Sequence, residues 1–205
     1  MSRFRTAIGW TTAATATPCF AAAAVLAGRS APAGDGAHRV ARAWARLLLT
    51  AAGATVTITG DPPTVADGPL VLMSNHSSSL DIPVLVATLD PALRAGFLAK
   101  HSLFGVPFLG GAMRALGCIP VHRENLRAAG GMLAAAVDAL RSGRSIVAFP
   151  EGTWSLGEEL LSFHRGAFLL AVRARVPIVP VGLEGVQRLL PASGRRLRPG
   201  AVAVR

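Results

Sequence analysis

Short apolar runs alternate with longer segments of helical periodicity from residue 54 to the end of the chain. The runs at 70–73 and 146–149 are apolar at every position, as strands covered on both faces are. This alternation predicts an α/β fold with a mostly parallel sheet flanked by helices. Ligands of such sheets bind beyond the carboxyl ends of the strands. Predicted strands lie at 54–59, 70–74, 96–99, 118–121, 145–149 and 178–182, with another starting at 201, and predicted helices at 80–89, 106–116, 125–141 and 165–174.

The N-terminal segment has a different pattern. Residues 7–28 carry no charge and are flanked by Arg3 and Arg5 on one side and by Arg29 on the other. As a helix the segment extends roughly 33 Å, about the thickness of a bilayer core. We expect a retained membrane anchor or a re-entrant hairpin, with Pro18 at the kink or bend. A cleaved secretory signal and a soluble alanine-rich helix are the alternatives.

A second, basic helix is predicted from about residue 37 to residue 52. Its apolar face comprises Val40, Ala43, Trp44, Leu47 and Leu48. Arg39, Arg42 and Arg46 fall on the other face. Such a helix can lie in the headgroup layer of a membrane, or it can pack on the domain with its arginines in water. We therefore divide the chain into N-terminal membrane-associating helices at 1–52 and a second domain at 53–205.

Composition narrows the classes of protein that fit. The 205 residues are 51% hydrophobic and 16% charged, which excludes a disordered chain and indicates a bilayer as part of the surroundings. A net charge of +10 suits phosphate, nucleic acid or an anionic lipid surface. Nucleic acid is disfavoured because no recognition motif is present. Cys19 and Cys118 stand alone, so neither a disulfide framework nor a metal site is predicted.

Polar residues interrupt the apolar pattern directly after the predicted strand at 70–74. This segment contains His76 and, five residues later, Asp81. If the turn folds back, the carboxylate accepts one imidazole N–H, fixes the tautomer and leaves the other nitrogen free as a general base. On its own, the spacing also fits a helix cap beside an exposed histidine. A second motif, at 149–153, follows the other fully apolar strand.

Together these motifs resemble the signature blocks of the glycerolipid acyltransferases, the lysophosphatidic acid acyltransferase family. The matching segments are Asn75-His76 with Asp81 for the first block, 117–125 for the second, 149–153 for the third and 176–181 for the fourth. The resemblance covers roughly residues 70–183. It implies a glycerol-3-phosphate acyltransferase-like fold, with an acyltransferase domain at 53–205.

The resemblance implies a membrane enzyme of phospholipid biosynthesis. Members transfer a fatty acyl group from acyl-CoA or acyl-ACP to the free hydroxyl of a lysophospholipid. We expect 1-acyl-glycerol-3-phosphate as acceptor and phosphatidic acid as product, with no cofactor besides the donor substrate and no metal. His76 is expected to be the general base and Asp81 its orienting partner, without an acyl-enzyme. The expected location is the cell membrane, with the catalytic domain facing the cytoplasm.

The resemblance also implies a set of substrate-binding residues. Arg123 is expected to hold the acceptor phosphate through its bidentate guanidinium. Glu151 is expected to bind acceptor hydroxyls, Gly152 to permit close backbone approach, and Thr153 to contribute a hydroxyl or an amide. Lys100 and Arg165 are candidates for additional contacts to phosphate or to the nucleotide end of the donor.

Two features depart from the family pattern. Residue 154 is Trp where the family usually has Arg, so the acceptor headgroup is open. The alternating run at 201–205 predicts a strand that has just begun, whereas family members continue past it, so we expect a truncated or naturally short domain. The alternatives to an acyltransferase are a hydrolase with a nucleophile among Ser77, Ser78 and Ser79, and a non-catalytic lipid-binding relative.

Overall fold

The computed structural model describes residues 2–30, 35–122, 126–157 and 159–205 and has an α/β architecture. Its α-helices are α1 Ser2–Ser30, α2 Gly36–Ala52, α3 Asp81–Thr88, α4 Leu109–Ala115, α5 Leu126–Arg141, α6 Gly166–Ala174 and α7 Val186–Leu189. Its strands are β1 Ala54–Ile58, β2 Val71–Ser74, β3 Gly96–Lys100, β4 Ile119–Val121, β5 Ile146–Ala148, β6 Ile178–Val181, β7 Leu183–Glu184 and β8 Gly200–Val204. Short 3₁₀ turns lie at Val65–Asp67, Pro91–Leu93 and His101–Gly105.

The main sheet has five parallel strands in the order β4-β3-β5-β2-β6. Met73 of β2 lies opposite Ala148 of β5 on one side and Pro180 of β6 on the other. The C-terminal ends of β2 and β5 are therefore adjacent, and the polar segments that follow them leave the sheet at the same edge. This confirms the predicted mostly parallel sheet.

A separate, smaller sheet has the order β1-β8-β7. The strands predicted at 54–59 and from 201 exist, but they pair with each other in parallel rather than extending the main sheet. The chain leaves the main sheet at Gly182, whose N–H and C=O both bond to the backbone of Arg205, and β7 then runs antiparallel to β8. β8 therefore lies between two partners and is not at an edge of the smaller sheet.

Helices cover both faces of the main sheet, which explains why its central strands are apolar at every position. Leu70 and Leu72 belong to the cluster that includes residues of α2 and α3. Val71 and Met73 belong to the cluster that includes residues of α5 and α6. Because these side chains are buried on both faces, the ends of the strands are the places where polar groups can reach solvent.

Helix α1 is continuous through Pro18, so the predicted re-entrant hairpin is wrong. Proline removes one intrahelical hydrogen bond, but the helix also packs along its length on α2 and α4. The contact uses small residues, Ala21 and Ala24 against Ala37 and Ala112. Among the described residues, α1 is the helix long and apolar enough to cross a membrane by length and composition, and 11% of its apolar window is buried. A signal sequence would pass the same test.

Helix α2 buries an alanine-rich face rather than the face of its larger apolar residues. The buried residues are Ala37, Ala41, Ala45, Leu49 and Ala52. Leu47, expected on the apolar face, is 41% exposed. Arg42, expected in water or on lipid phosphates, donates its Nε–H to the carbonyl of Ala87 at 3.0 Å. Small side chains let α2 pack against both α1 and α3. The division between 1–52 and 53–205 stays a prediction.

Candidate active site

His76 and Asp81 form a hydrogen-bonded pair at the C-terminal end of β2. Asp81 Oδ2 lies 2.8 Å from His76 Nδ1 and accepts the backbone N–H groups of Ser77 and Ser78 at 2.7 and 2.8 Å. The Asp81 side chain is fully buried, and the His76 side chain is 13% exposed. A proton on Nδ1 that is donated to Asp81 leaves a lone pair on Nε2. This is the form of histidine that a general base requires.

The five-residue spacing produces this geometry because Asp81 itself closes the turn. The backbone N–H groups of Ser77 and Ser78 both bond to Asp81 Oδ2, so the backbone holds the carboxylate in place independently of the imidazole. Asp81 is also the first residue of α3, where the helix dipole favours a negative charge. The turn is thus a preformed acceptor for the His76 ring.

Two of the three serines of this turn are buried. Ser77 is 7% exposed and Ser78 is fully buried. Ser78 Oγ donates to the carbonyl of Leu190 at 2.7 Å and accepts the N–H of Leu80 at 3.1 Å. Ser78 therefore links the turn to the segment after α7. Ser79 is the exposed serine of the three.

The segment after β5 forms the second wall of the site. The ring of Phe149 stacks on the His76 imidazole with centroids 3.9 Å apart and planes inclined by 15°. Trp154 meets the same imidazole edge-on at 5.8 Å and is 43% exposed. Ser155 donates its backbone N–H to the carbonyl of His76 at 2.8 Å. The two sequence motifs therefore pack directly against each other around His76.

Glu151 lies beneath this wall and is 2% exposed. Its Oε1 accepts the backbone N–H of His76 at 2.9 Å, and its Oε2 accepts the backbone N–H of Leu161 at 2.8 Å. The contact with acceptor hydroxyls that the resemblance implies stays a prediction. In the structure, each oxygen of the carboxylate accepts a hydrogen bond from a backbone N–H group of the protein itself.

Gly152 and Thr153 follow at the rim of the site. Gly152 has a left-handed φ of +69°, and a Cβ at this position would lie 2.8 Å from His164 Cδ2. Glycine is thus required both by the backbone conformation and by the close approach of the histidine. Thr153 is exposed. Its contact with substrate stays a prediction.

Two of the expected cationic residues, Lys100 and Arg165, are described by the structure. Lys100 ends β3, Arg165 precedes α6, and both are exposed. Within the described residues, neither is hydrogen-bonded or ion-paired to His76 or Asp81. Arg123 lies outside the described residues. The roles of these three residues in substrate binding stay predictions.

Asn75 has a role that sequence reasoning missed. Its Nδ2 donates to the carbonyl of Leu183 at 2.9 Å, and its Oδ1 accepts the N–H of the same residue at 2.7 Å. This two-bond pairing ties the turn that contains His76 to β7 and hence to the smaller sheet. Its place beside His76 in the motif was the available signal, but the partner lies 108 residues further along the chain.

An apolar cavity of about 330 Å³ adjoins the turn and was also not predicted. It lies between the main sheet and helices α1 and α2, and none of its described lining residues is charged. Ser79 and Leu80 line it from the turn, and Trp10 and Trp44 line it from the helices. Cys118 lines it as well, and burial raises the pKa of its thiol to about 11. The cavity is large enough for a small apolar ligand.

Comparison with a solved structure identifies the class of fold. The crystal structure of the 1-acyl-sn-glycerophosphate acyltransferase PlsC from Thermotoga maritima is similar with a TM-score of 0.81. The similarity covers 99% of this chain and 82% of that chain, at 22% sequence identity. At this identity it shows the fold alone, and it confirms the predicted α/β class.

Sequence comparison then gives the family. A family model described as Acyltransferase matches residues 55–184, and the chain belongs to this family. The 1-acyl-sn-glycerol-3-phosphate acyltransferase of Escherichia coli is 36% identical over 69% of this chain and 58% of its own length. The protein of the same name in Borreliella burgdorferi is 32% identical over 69% and 56%. A chloroplast relative in Brassica napus is 32% identical over 75% and 44%. The chain thus spans about half the length of these curated relatives.

Proposed function

We propose that this protein transfers a fatty acyl group from a thioester donor, acyl-CoA or acyl-ACP, to the free hydroxyl of 1-acyl-glycerol-3-phosphate, forming phosphatidic acid. The observation that carries the proposal is the 2.8 Å hydrogen bond between His76 Nδ1 and the buried Asp81. Acyl transfer to a hydroxyl needs a positioned base, and this pair provides one. Relatives that share the family are named for this acceptor.

The reaction proceeds in two steps without an acyl-enzyme. His76 Nε2 takes the proton of the acceptor hydroxyl while its oxygen attacks the thioester carbonyl. The tetrahedral intermediate then expels the thiolate as the C–S bond breaks, and the imidazolium returns its proton to the sulfur. Asp81 stabilises the imidazolium between the steps. The burial of Ser77 and Ser78 supports direct transfer rather than a serine ester.

The apolar cavity supplies a place for an acyl chain beside the base. Ser79 and Leu80, which line it, belong to the same turn as His76. Its walls exclude charged groups, so burial of methylene groups there is favourable by ~0.8 kcal/mol each. A long-chain substrate can therefore be held with its carbonyl or hydroxyl at the end of β2. This supports a lipid rather than a water-soluble substrate.

We place the enzyme at the cell membrane with the catalytic domain on the cytoplasmic side, where both kinds of donor occur. The support is the length and apolar composition of α1 together with the net charge of +10. Anionic lipid surfaces attract such a charge. Retention on membranes in about 1 M salt, where the Debye length is ~3 Å, would indicate apolar anchoring, and release would indicate charge alone.

Product analysis by mass spectrometry tests the function. Purified protein in mixed micelles is given lysophosphatidic acid with either acyl-CoA or acyl-ACP, and lysolipids with other headgroups are tested in parallel because Trp154 departs from the family pattern. Phosphatidic acid is the expected product. Free fatty acid without an acylated lipid would indicate a hydrolase, and lipid binding without turnover would indicate a non-catalytic relative. Either result would contradict the proposal.

A further inference from the structure

We propose that Glu151 is a positioning residue: its buried carboxylate fixes the backbone of His76 and the loop that covers it, and it does not bind the acceptor. The kinetic part of this inference rests on the proposed function. Its starting point is that the two oxygens of Glu151 accept two backbone N–H groups, those of His76 and Leu161, at 2.9 and 2.8 Å.

The segment after β5 holds the peptide groups on both sides of the His76 Cα. Glu151 accepts the N–H of His76, while Ser155 donates both its N–H and its Oγ–H to the His76 carbonyl, at 2.8 and 3.3 Å. The ring of Phe149 stacks on the imidazole from the same segment. With the backbone fixed in this way, the direction of the Cα–Cβ bond is set. The imidazole then reaches Asp81 and presents Nε2 in one orientation.

The other carboxylate oxygen fixes the loop that closes over Glu151. We call residues 159–163 the covering loop. It is tied at Leu161 by Glu151 Oε2, and just beyond its end the N–H of His164 bonds to the carbonyl of Pro150 at 2.8 Å. These bonds bring the loop back over the β5 end, which accounts for the 2% exposure of Glu151. Because Glu151 is 2% exposed, an acceptor hydroxyl could reach the carboxylate only if the surrounding chain moved aside.

The N–H groups of His76 and Leu161 reach different oxygens of Glu151, whereas glutamine has a single carbonyl oxygen. In Glu151→Gln the amide keeps the volume of the side chain, but its NH₂ group faces a backbone N–H that also donates. Either His76 or Leu161 then loses its acceptor. A displacement of the base by about 1 Å can cost ~100-fold in rate. Since the side chain is not in contact with the acceptor, binding of the acceptor should be retained.

The test separates kcat from the KM for the acceptor in Glu151→Gln. We expect kcat to fall ~100-fold while KM stays within about twofold, the pattern of lost transition-state geometry. Glu159→Gln is the matched control, because Glu159 is an exposed carboxylate in the covering loop, and it should leave both constants unchanged. A higher acceptor KM with an unchanged kcat would show that Glu151 contacts the substrate and would overturn the proposal.

Hydrogen exchange in the unmodified protein tests the geometry without any variant and without any activity. Leu161 is 40% exposed and lies outside helices and strands, so Glu151 is the group that protects its amide. We expect this amide to exchange much more slowly than that of Leu160, for which the described residues provide no acceptor. Equal exchange rates would overturn the proposal even if acyl transfer is confirmed. Slow exchange in a protein without transferase activity would instead refute the proposed function alone.

Discussion

Replacement of Asp81 by Asn tests how the carboxylate supports His76. One oxygen of Asp81 accepts three N–H groups, from His76 Nδ1, Ser77 and Ser78, all within 2.8 Å. Asparagine can keep its carbonyl toward these donors, but it is neutral and no longer stabilises the imidazolium. A hydrogen bond to a charged group contributes ~1.5–3 kcal/mol, which corresponds to roughly 10- to 100-fold in rate. If the amide turns its NH₂ group toward Nδ1, the tautomer changes and the loss can approach ~10⁴-fold.

We therefore expect kcat of Asp81→Asn to fall between ~10-fold and ~10⁴-fold, with an acceptor KM within about twofold because Asp81 is fully buried. The assay follows thiol release from acyl-CoA with lysophosphatidic acid as acceptor. Asp90→Asn is the control: this exposed aspartate only caps a 3₁₀ turn by accepting the N–H of Ala92, and its replacement should not change turnover. A kcat of Asp81→Asn equal to that of Asp90→Asn would show that the Asp81 carboxylate does not support His76 in the reaction.

Two further predictions concern stability. Gly152→Ala should destabilise the fold by ~1–2 kcal/mol, because alanine is strained at a φ of +69° and its Cβ would crowd His164. Thermal unfolding measures this. A Gly157→Ala control, whose Cβ would lie no closer than 4.0 Å to the nearest atom, the backbone nitrogen of Glu159, should show less than half of the effect. Burial, aided by the nearby Arg144 guanidinium, lowers the pKa of His38 from 6.5 to about 4. Between about pH 6.5 and pH 4, the unfolded chain binds a proton at residue 38 that the folded chain does not. The free energy of unfolding should therefore decrease as the pH falls through this range, by up to ~3 kcal/mol. Chemical denaturation should show a smaller fall in His38→Phe, and identical pH profiles would contradict the assignment.

The main sheet and the hydrogen-bonded pair of His76 and Asp81 are the parts of the structure that the sequence predicts well. The runs at 70–73 and 146–149 are apolar throughout because helices cover both faces, and this signal is local. The polar segments after them were expected at one edge of the sheet, and β2 and β5 are indeed neighbours. The pairing of His76 with Asp81 lies within a short turn, but the spacing on its own also fits a helix cap, and the second motif at 149–153 favours the pair.

Features that depend on distant partners were not predictable in the same way. β1 and β8 pair although they lie near opposite ends of residues 53–205. The sequence of neither strand indicates which strand is its partner. The buried face of α2 consists mainly of alanines, whose burial depends on how closely α1 and α3 approach. The two backbone partners of Glu151, His76 and Leu161, are not visible in the motif, so these hydrogen bonds could not be predicted from it.

Phosphatidic acid formation by His76→Ala tests directly whether His76 is the general base. In the proposed mechanism the base is Nε2 of this residue, whose Nδ1 lies 2.8 Å from Asp81 Oδ2. Removal of a general base typically costs ~100-fold to ~10⁴-fold in rate. We predict a loss of this size in His76→Ala, with full turnover retained in His101→Ala, where an exposed histidine outside the pair is removed. Equal turnover in the two variants would show that His76 is not the general base.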